Sequence, residues 1–127
     1  MTGSQRLQEW ISGGETRRLA GHGIFVRTAV TAGLPPLLLI HGYPTASYDW
    51  CRVWRRLAGR HSLYALDLLG FGLSEKPRHG DYPISLQADL CMALLDDCGL
   101  TDVHVLAHDY GDTVAQELLA REFEGKL

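Results

Sequence analysis

Asp109 is the residue whose setting most directly implies chemistry. An apolar run, Val103-His104-Val105-Leu106-Ala107, leads into His108-Asp109-Tyr110-Gly111-Asp112 and then into a helical pattern. That small-x-Asp-x-Gly order at a strand-to-helix junction is the layout of a nucleophile elbow, a tight turn that lifts one side chain clear of a sheet. Ala107 and Gly111 must be small because the backbone folds back on itself between them. Such turns more often carry Ser. A carboxylate makes Asp109 a candidate nucleophile for alkyl rather than acyl transfer. Asp is also a favoured helix N-cap, and the dipole at a helix start welcomes its charge. The same field keeps a nucleophilic carboxylate ionised, so the two roles coexist. A plain cap does not ask for small residues on both sides.

His41-Gly42-Tyr43-Pro44 closes an earlier apolar run. In an elbow site, one anion-stabilising donor comes from a loop of this kind and the other from the residue after the nucleophile. The backbone N–H groups of Tyr43 and Tyr110 are therefore the candidate oxyanion hole. His41, Gly42 and Pro44 are its supporting motif. Alone, the tetrapeptide would describe only a turn punctuated by Gly and Pro. The elbow that follows later in the chain favours the functional reading. Tyr43–Pro44 is a candidate cis bond, since an X-Pro linkage lowers the penalty of cis.

Other groups carry less. Gly70-Phe71-Gly72 lacks the third glycine of a dinucleotide fingerprint: Glu75 stands there, and Pro77 follows instead of a helix. Asp67 and Ser74 are expected to tie down this loop by hydrogen bonds. His108 neighbours Asp109, but adjacent strand residues point to opposite faces, so it is not expected to reach the carboxylate. His22, His61, His79 and His104 show no partner pattern and read as structural or solvated. Cys51, Cys91 and Cys98 have no metal spacing and read as small apolar residues in a reducing compartment.

The elements needed to position these residues can be read from the pattern. Leu7, Trp10 and Ile11 would make one turn of helix in an otherwise weakly patterned start. Thr16–Ala20 and Ile24–Val30 read as a hairpin around Gly21-His22-Gly23. Leu37–Ile40, apolar throughout, reads as a strand covered on both faces. A helix over Tyr48–Ala58 would place Trp50, Val53, Trp54 and Leu57 on one stripe, with Gly59 as its stop. Ser62–Leu66 is the next strand. Ser85 is the expected N-cap of a helix to about Cys98, with Leu86, Leu90, Ala93 and Leu94 inward and Gly99 ending it. Val103–Ala107 is the strand before the elbow. Tyr110 to about Phe123 is the helix after it, with Val114, Ala115, Leu118 and Leu119 inward. A hairpin followed by alternating strands and helices predicts an α/β fold with a mostly parallel sheet and helices on both faces.

Composition sets bounds. The 127 residues suit one domain, and 46% hydrophobic with 21% charged residues is the balance of a soluble protein. A formal net charge of −3 gives no electrostatic case for nucleic acid or an anionic membrane. The start lacks the apolar core of a secretory signal, and Leu34–Ile40 is too short to span a bilayer. A cytoplasmic setting follows as the expectation. No metal or other cofactor is implied. The expected partner is a small-molecule substrate.

Taken together, His41-Gly42-Tyr43-Pro44, the run Asp67 to Pro77, and His108-Asp109-Tyr110-Gly111 resemble the α/β-hydrolase superfamily in its epoxide hydrolase and haloalkane dehalogenase branch. Pro44 to Trp50 and His108 to Leu119 are similar, within it, to the mesoderm-specific transcript-like hydrolases. The resemblance runs from about Ile24 to Arg121. It implies that Asp109 attacks a carbon electrophile to form an alkyl ester, which a histidine, oriented by an acid, then hydrolyses with water. A cis bond at Tyr43–Pro44 is common in that branch. Its acid and histidine follow the nucleophile, whereas this sequence has Glu117, Glu122 and Glu124 but no histidine after Asp109. Residues 16–127 are thus expected to be the N-terminal portion of a hydrolase domain, catalytically incomplete as given, with 1–15 as an N-terminal extension. The alternative is a non-catalytic fragment or a binding protein on a hydrolase scaffold. An ordinary esterase is disfavoured because no Ser occupies the elbow. Two positions depart from the branch: Tyr110 stands where Trp usually helps hold a halide, and Asp112 where a second Gly is usual. A carboxylate at Asp112 is expected to raise the pKa of one of the pair.

Overall fold

The computed structural model describes residues 1–80 and 82–125. Five strands form one mixed sheet in the order β1-β2-β4-β3-β5. They are β1 (Gly14–Leu19), β2 (His22–Ala29), β3 (Pro36–Ile40), β4 (Ser62–Leu66) and β5 (His104–Ala107). β1 pairs antiparallel with β2, and β2 antiparallel with β4. β3 runs parallel to both β4 and β5. The hairpin turn falls at Ala20-Gly21, with φ of 48° and 83°, one residue earlier than the Gly-His-Gly pattern predicts. Two consecutive positive φ values match the twist of a two-residue hairpin, and His22 is thereby drawn into β2.

Period-two alternation sorts each covered strand between two cores. Leu37, Leu39, Leu63 and Ala65 face a layer containing Trp10 and Trp54. Leu38, Ile40, Tyr64 and Leu66 face the opposite layer, where Leu90, Leu94, Val114 and Leu118 arrive from two helices. Full burial of each Leu or Ile contributes roughly 1.5–3 kcal/mol, so β3 and β4 are the stable centre.

The helices are α1 (Gly3–Ser12), α2 (Trp54–Ala58), α3 (Ile84–Asp97) and α4 (Tyr110–Phe123). α1 is longer than the single turn expected. Thr2 and Gln5 form a capping box at its start. At its end the Arg27 guanidinium donates to the carbonyls of Glu9 and Trp10 while lying 4.6 Å from the Trp10 ring centroid. The expected helix Tyr48–Ala58 is instead a 3-10 helix, Ser47–Arg52, followed by α2, with Val53 at the junction. Three residues per turn break a 3.6-residue stripe, and Val53 turns outward, 42% exposed. α3 starts at Ile84 with Pro83 in the cap position, so Ser85 does not cap it. The extended Pro83 presents its carbonyl to the Leu86 and Gln87 N–H groups instead. Leu119 is exposed, because the buried stripe of α4 runs through Gly111, Val114 and Leu118 and Leu119 lies about 100° around the helix from Leu118. Arg121 ties α4 to α3, donating to the Asp89 carboxylate and the Ser85 carbonyl. No described helix is long and apolar enough to cross a membrane.

Candidate active site

The carboxyl ends of β3 and β5 lie side by side, with Ile40 opposite Ala107. The ladder continues one step further, the His108 N–H donating to the Ile40 carbonyl at 3.2 Å. The chain then reverses at Asp109, whose φ of 56° and ψ of −118° lie outside the ordinary regions for a side-chain-bearing residue. The turn is closed by the Gly111 N–H on the His108 carbonyl and the Asp112 N–H on the Asp109 carbonyl, each at 2.9 Å. A strained backbone of this kind persists only when its surroundings over-determine it. Here two glycines allow that. A Cβ on Gly111 would lie 2.4 Å from the Ile40 carbonyl oxygen, and one on Gly42 would lie 2.7 Å from Asp109 Cβ. Helix α4 and the His41–Pro44 loop thus both close onto Asp109.

Tyr43 and Asp109 meet across this gap. The Tyr43 N–H donates to Asp109 Oδ2 at 3.0 Å, and the Asp109 side chain is exposed. The Tyr110 N–H also acts on the carboxylate, but without the geometry of a full hydrogen bond, and Asp109 does not cap α4 with its side chain. The carboxyl group is held below the ordinary Asp range, first by the Tyr43 N–H and then by the Tyr110 N–H, with a smaller contribution from His108. The upward pull expected from Asp112 does not act on Asp109, whose carboxyl group is governed by the Tyr43 and Tyr110 amides. His108 makes no hydrogen bond to Asp109, as expected, although both side chains come close to Gly42. Tyr43–Pro44 is cis.

The supporting residues are placed from below. His41 is fully buried. Its Nε2 lies 2.9 Å from the Leu68 N–H and its Nδ1 lies 2.8 Å from the Gly42 carbonyl oxygen. Burial pushes its pKa down, against smaller upward pulls from the Gly42 carbonyl, Asp67 and Asp49. Asp67, also buried, accepts from the Ser47 N–H at 2.8 Å and the Leu73 N–H at 2.9 Å. The Ser74 hydroxyl donates to the Asp67 carbonyl and accepts from the Phe25 N–H. These are the loop-tying bonds expected of Asp67 and Ser74. His22 has a partner that the sequence did not show: its Nδ1 sits 2.6 Å from Glu75 Oε2.

Phe71 is a site residue that sequence reasoning missed. Its ring lies 5.3 Å from that of His41, 5.9 Å from Tyr43 and 5.8 Å from Tyr110, centroid to centroid. It is the packing centre of the aromatic group beside the carboxylate. Its position within Gly70-Phe71-Gly72 was the available signal, since an apolar ring in a glycine loop needs a partner elsewhere in the fold.

A sheet with a tight strand-to-helix turn at its carboxyl edge, helices on both faces and an N–H-lined loop opposite defines a class. The chain belongs to the alpha/beta hydrolase fold family, whose sequence profile matches residues 35–125. It is 46% identical over 123 residues to the mesoderm-specific transcript homolog protein of Bos taurus, covering 93% of this chain and 37% of that protein. A haloalkane dehalogenase of Agrobacterium fabrum is 36% identical over 89 residues, covering 70% of this chain and 29% of the dehalogenase. A soluble epoxide hydrolase of Corynebacterium is 40% identical over 87 residues, covering 68% of this chain and 30% of the hydrolase. The crystal structure of an alpha/beta hydrolase fold protein from Burkholderia ambifaria superposes with a TM-score of 0.75 at 39% identity, over 87% of this chain and 39% of that one. The chain thus spans between 29% and 39% of the length of these relatives.

Proposed function

We propose that this chain carries the nucleophile and anion-stabilising half of a hydrolase that acts through a carboxylate, in the manner of epoxide hydrolases. The observation that carries this is the hydrogen bond from the Tyr43 N–H to Asp109 Oδ2 at a residue with φ of 56°. With Oδ2 anchored, Oδ1 is the oxygen left to attack. An Oδ1–carbon bond forms as the carbon–oxygen bond of an epoxide breaks, and the ring oxygen takes a proton from water. The product is a hydroxyalkyl ester of Asp109. When water later adds to that ester, negative charge develops on an oxygen beside the Tyr43 and Tyr110 N–H groups, a placement that stabilises it. Residues 16–127 on this reading are the N-terminal part of a larger hydrolase domain. Among the described residues, no acid and histidine that would complete a triad are gathered around Asp109. The three free cysteines favour a reducing, cytoplasmic setting.

Exposure to a terminal aryl epoxide tests this by intact-protein mass spectrometry with peptide mapping. The expected result is a single adduct on Asp109 that hydroxylamine removes, as an ester requires and a cysteine thioether does not. D109N should lack it. An unmodified Asp109 under conditions that alkylate the half-buried Cys51 or Cys98 would overturn the proposal and favour a binding role for the scaffold.

A further inference from the structure

Tyr43 N–H and the Gly42 carbonyl belong to one peptide unit. That unit is planar, so its two ends cannot turn independently. One end donates to Asp109 Oδ2 at 3.0 Å. The other end lies 2.8 Å from His41 Nδ1. The imidazole has one available arrangement of its proton. The Leu68 N–H is a donor, so the Nε2 it faces at 2.9 Å must accept. The ring hydrogen therefore sits on Nδ1 and is donated to the Gly42 carbonyl. We propose that His41 is a positioning residue: through the Gly42–Tyr43 peptide, its Nδ1–H aims and strengthens the amide that holds the Asp109 carboxylate.

Three features support this. His41 is fully buried, so no water competes for either nitrogen. The Gly42 carbonyl oxygen also accepts from the Thr45 N–H at 3.2 Å. Donors gathered on a carbonyl polarise the amide and make its N–H a stronger donor at the far end. The Thr45 hydroxyl lies near the same oxygen but has a closer acceptor in the Asp49 carboxylate, which leaves Nδ1–H as the short contact. Finally, Phe71 packs edge-on against the imidazole and limits its rotation. The neutral ring that this chain of bonds requires is also the one that burial favours.

The inference rests on the proposed role of Asp109 for its consequence in rate, but its geometric content is separate. His41→Asn keeps a donor near the Nδ1 position and loses the acceptor for Leu68. His41→Gln keeps an acceptor near Nε2 and loses the donor to Gly42. Both variants should be less stable than the parent. In carboxyl-carbon NMR titrations, Asp109 should ionise at higher pH in His41→Gln and stay near the parent midpoint in His41→Asn. Alkylation of Asp109 should slow by roughly tenfold in His41→Gln alone, since the carboxylate would lose the contact that orients Oδ1 for attack. Equal effects in the two variants, or no shift in either, would overturn the inference, because a merely structural histidine affects Asp109 only through stability. Should a variant not fold, the parent decides: nitrogen NMR must show His41 neutral with its proton on Nδ1, and a proton on Nε2 refutes the relay. A shifted titration in a protein that is never alkylated would sink the proposed nucleophile and leave the relay standing.

Discussion

Gly111→Ala sets two physical effects against each other. Gly111 sits in the first turn of α4 with an ordinary helical backbone, so intrinsic propensity alone favours Ala by about 1 kcal/mol. The structure favours the opposite sign. A Cβ there would lie 2.4 Å from the Ile40 carbonyl oxygen and 2.6 Å from that of His41, about 1 Å inside ordinary contact. Both obstacles are backbone at the end of the central strand β3, and the Ile40 carbonyl already holds the His108 N–H. The first turn of α4 must therefore move. Overpacking of this kind costs roughly 1–3 kcal/mol, more than the propensity gain across most of that range. We expect a net loss of about 1 kcal/mol, read as a melting point roughly 3–5 °C lower. Because the same turn carries Asp109 and Tyr110, Asp109 alkylation should fall by up to about 10²-fold. Urea unfolding followed by the fluorescence of Trp10, Trp50 and Trp54, alongside the adduct assay, measures both. A Gly111→Ala protein as stable as the parent and alkylated at the parent rate would refute the close approach of α4 to β3.

Asp109 has its pKa lowered by the Tyr43 and Tyr110 amides, so it stays ionised below the ordinary Asp value of about 3.9. Its alkylation rate should be flat from neutral pH through that value and fall only below it; a midpoint at or above it, in a pH–rate profile, contradicts the amide contacts. Arg27→Met removes two hydrogen bonds to the end of α1 and the contacts with the Trp10 and Trp54 rings. It should lower stability by roughly 1–3 kcal/mol, with α1 amides losing hydrogen-exchange protection before those of β3. Among the described residues β5 pairs only with β3, and its Val105 and Leu106 are 42% and 37% exposed. An apolar strand edge promotes association. The protein should self-associate in sedimentation velocity, and Val105→Lys should shift it toward monomer; a parent that sediments as a monomer at all concentrations counts against this.

Legibility followed the range of the interactions. β3 and β4 could be read because both of their faces are covered, which leaves an unbroken apolar run in the sequence. Helix α4 and the turn before it could be read because the turn's requirement for small residues is local. α1 was underread. Its capping box, Thr2 with Gln5, is written in the sequence, but the helix is held by Trp10 against Arg27 and by the Trp10 indole donating to the buried Ser47 hydroxyl. Those partners lie far along the chain. The break at Val53 was hidden for a different reason: the stripe Trp50, Val53, Trp54 and Leu57 fits 3.6 residues per turn, while the 3-10 winding that is adopted needs only a shift of one hydrogen-bond partner. Pro83 displaced Ser85 from the cap because a proline already holds the extended backbone that a cap requires.

At the site, the same distinction separates what was visible from what was not. His41-Gly42-Tyr43-Pro44 and His108-Asp109-Tyr110-Gly111 are each recognisable as a motif, and each names a donor or an acceptor. Neither shows that Gly42 is small for the sake of Asp109, as the 2.7 Å approach to its Cβ requires. Neither shows that the peptide after Gly42 has a partner at both ends. That arrangement depends on Leu68, which follows β4 and directs its N–H at His41 Nε2. Leu68 is fully buried with an apolar side chain, so nothing in its residue type marks it. Its contribution is a backbone proton at a fixed place. The chemistry of Asp109 is therefore set partly by a main-chain group that any residue except proline supplies, and the fold rather than the residue type selects it.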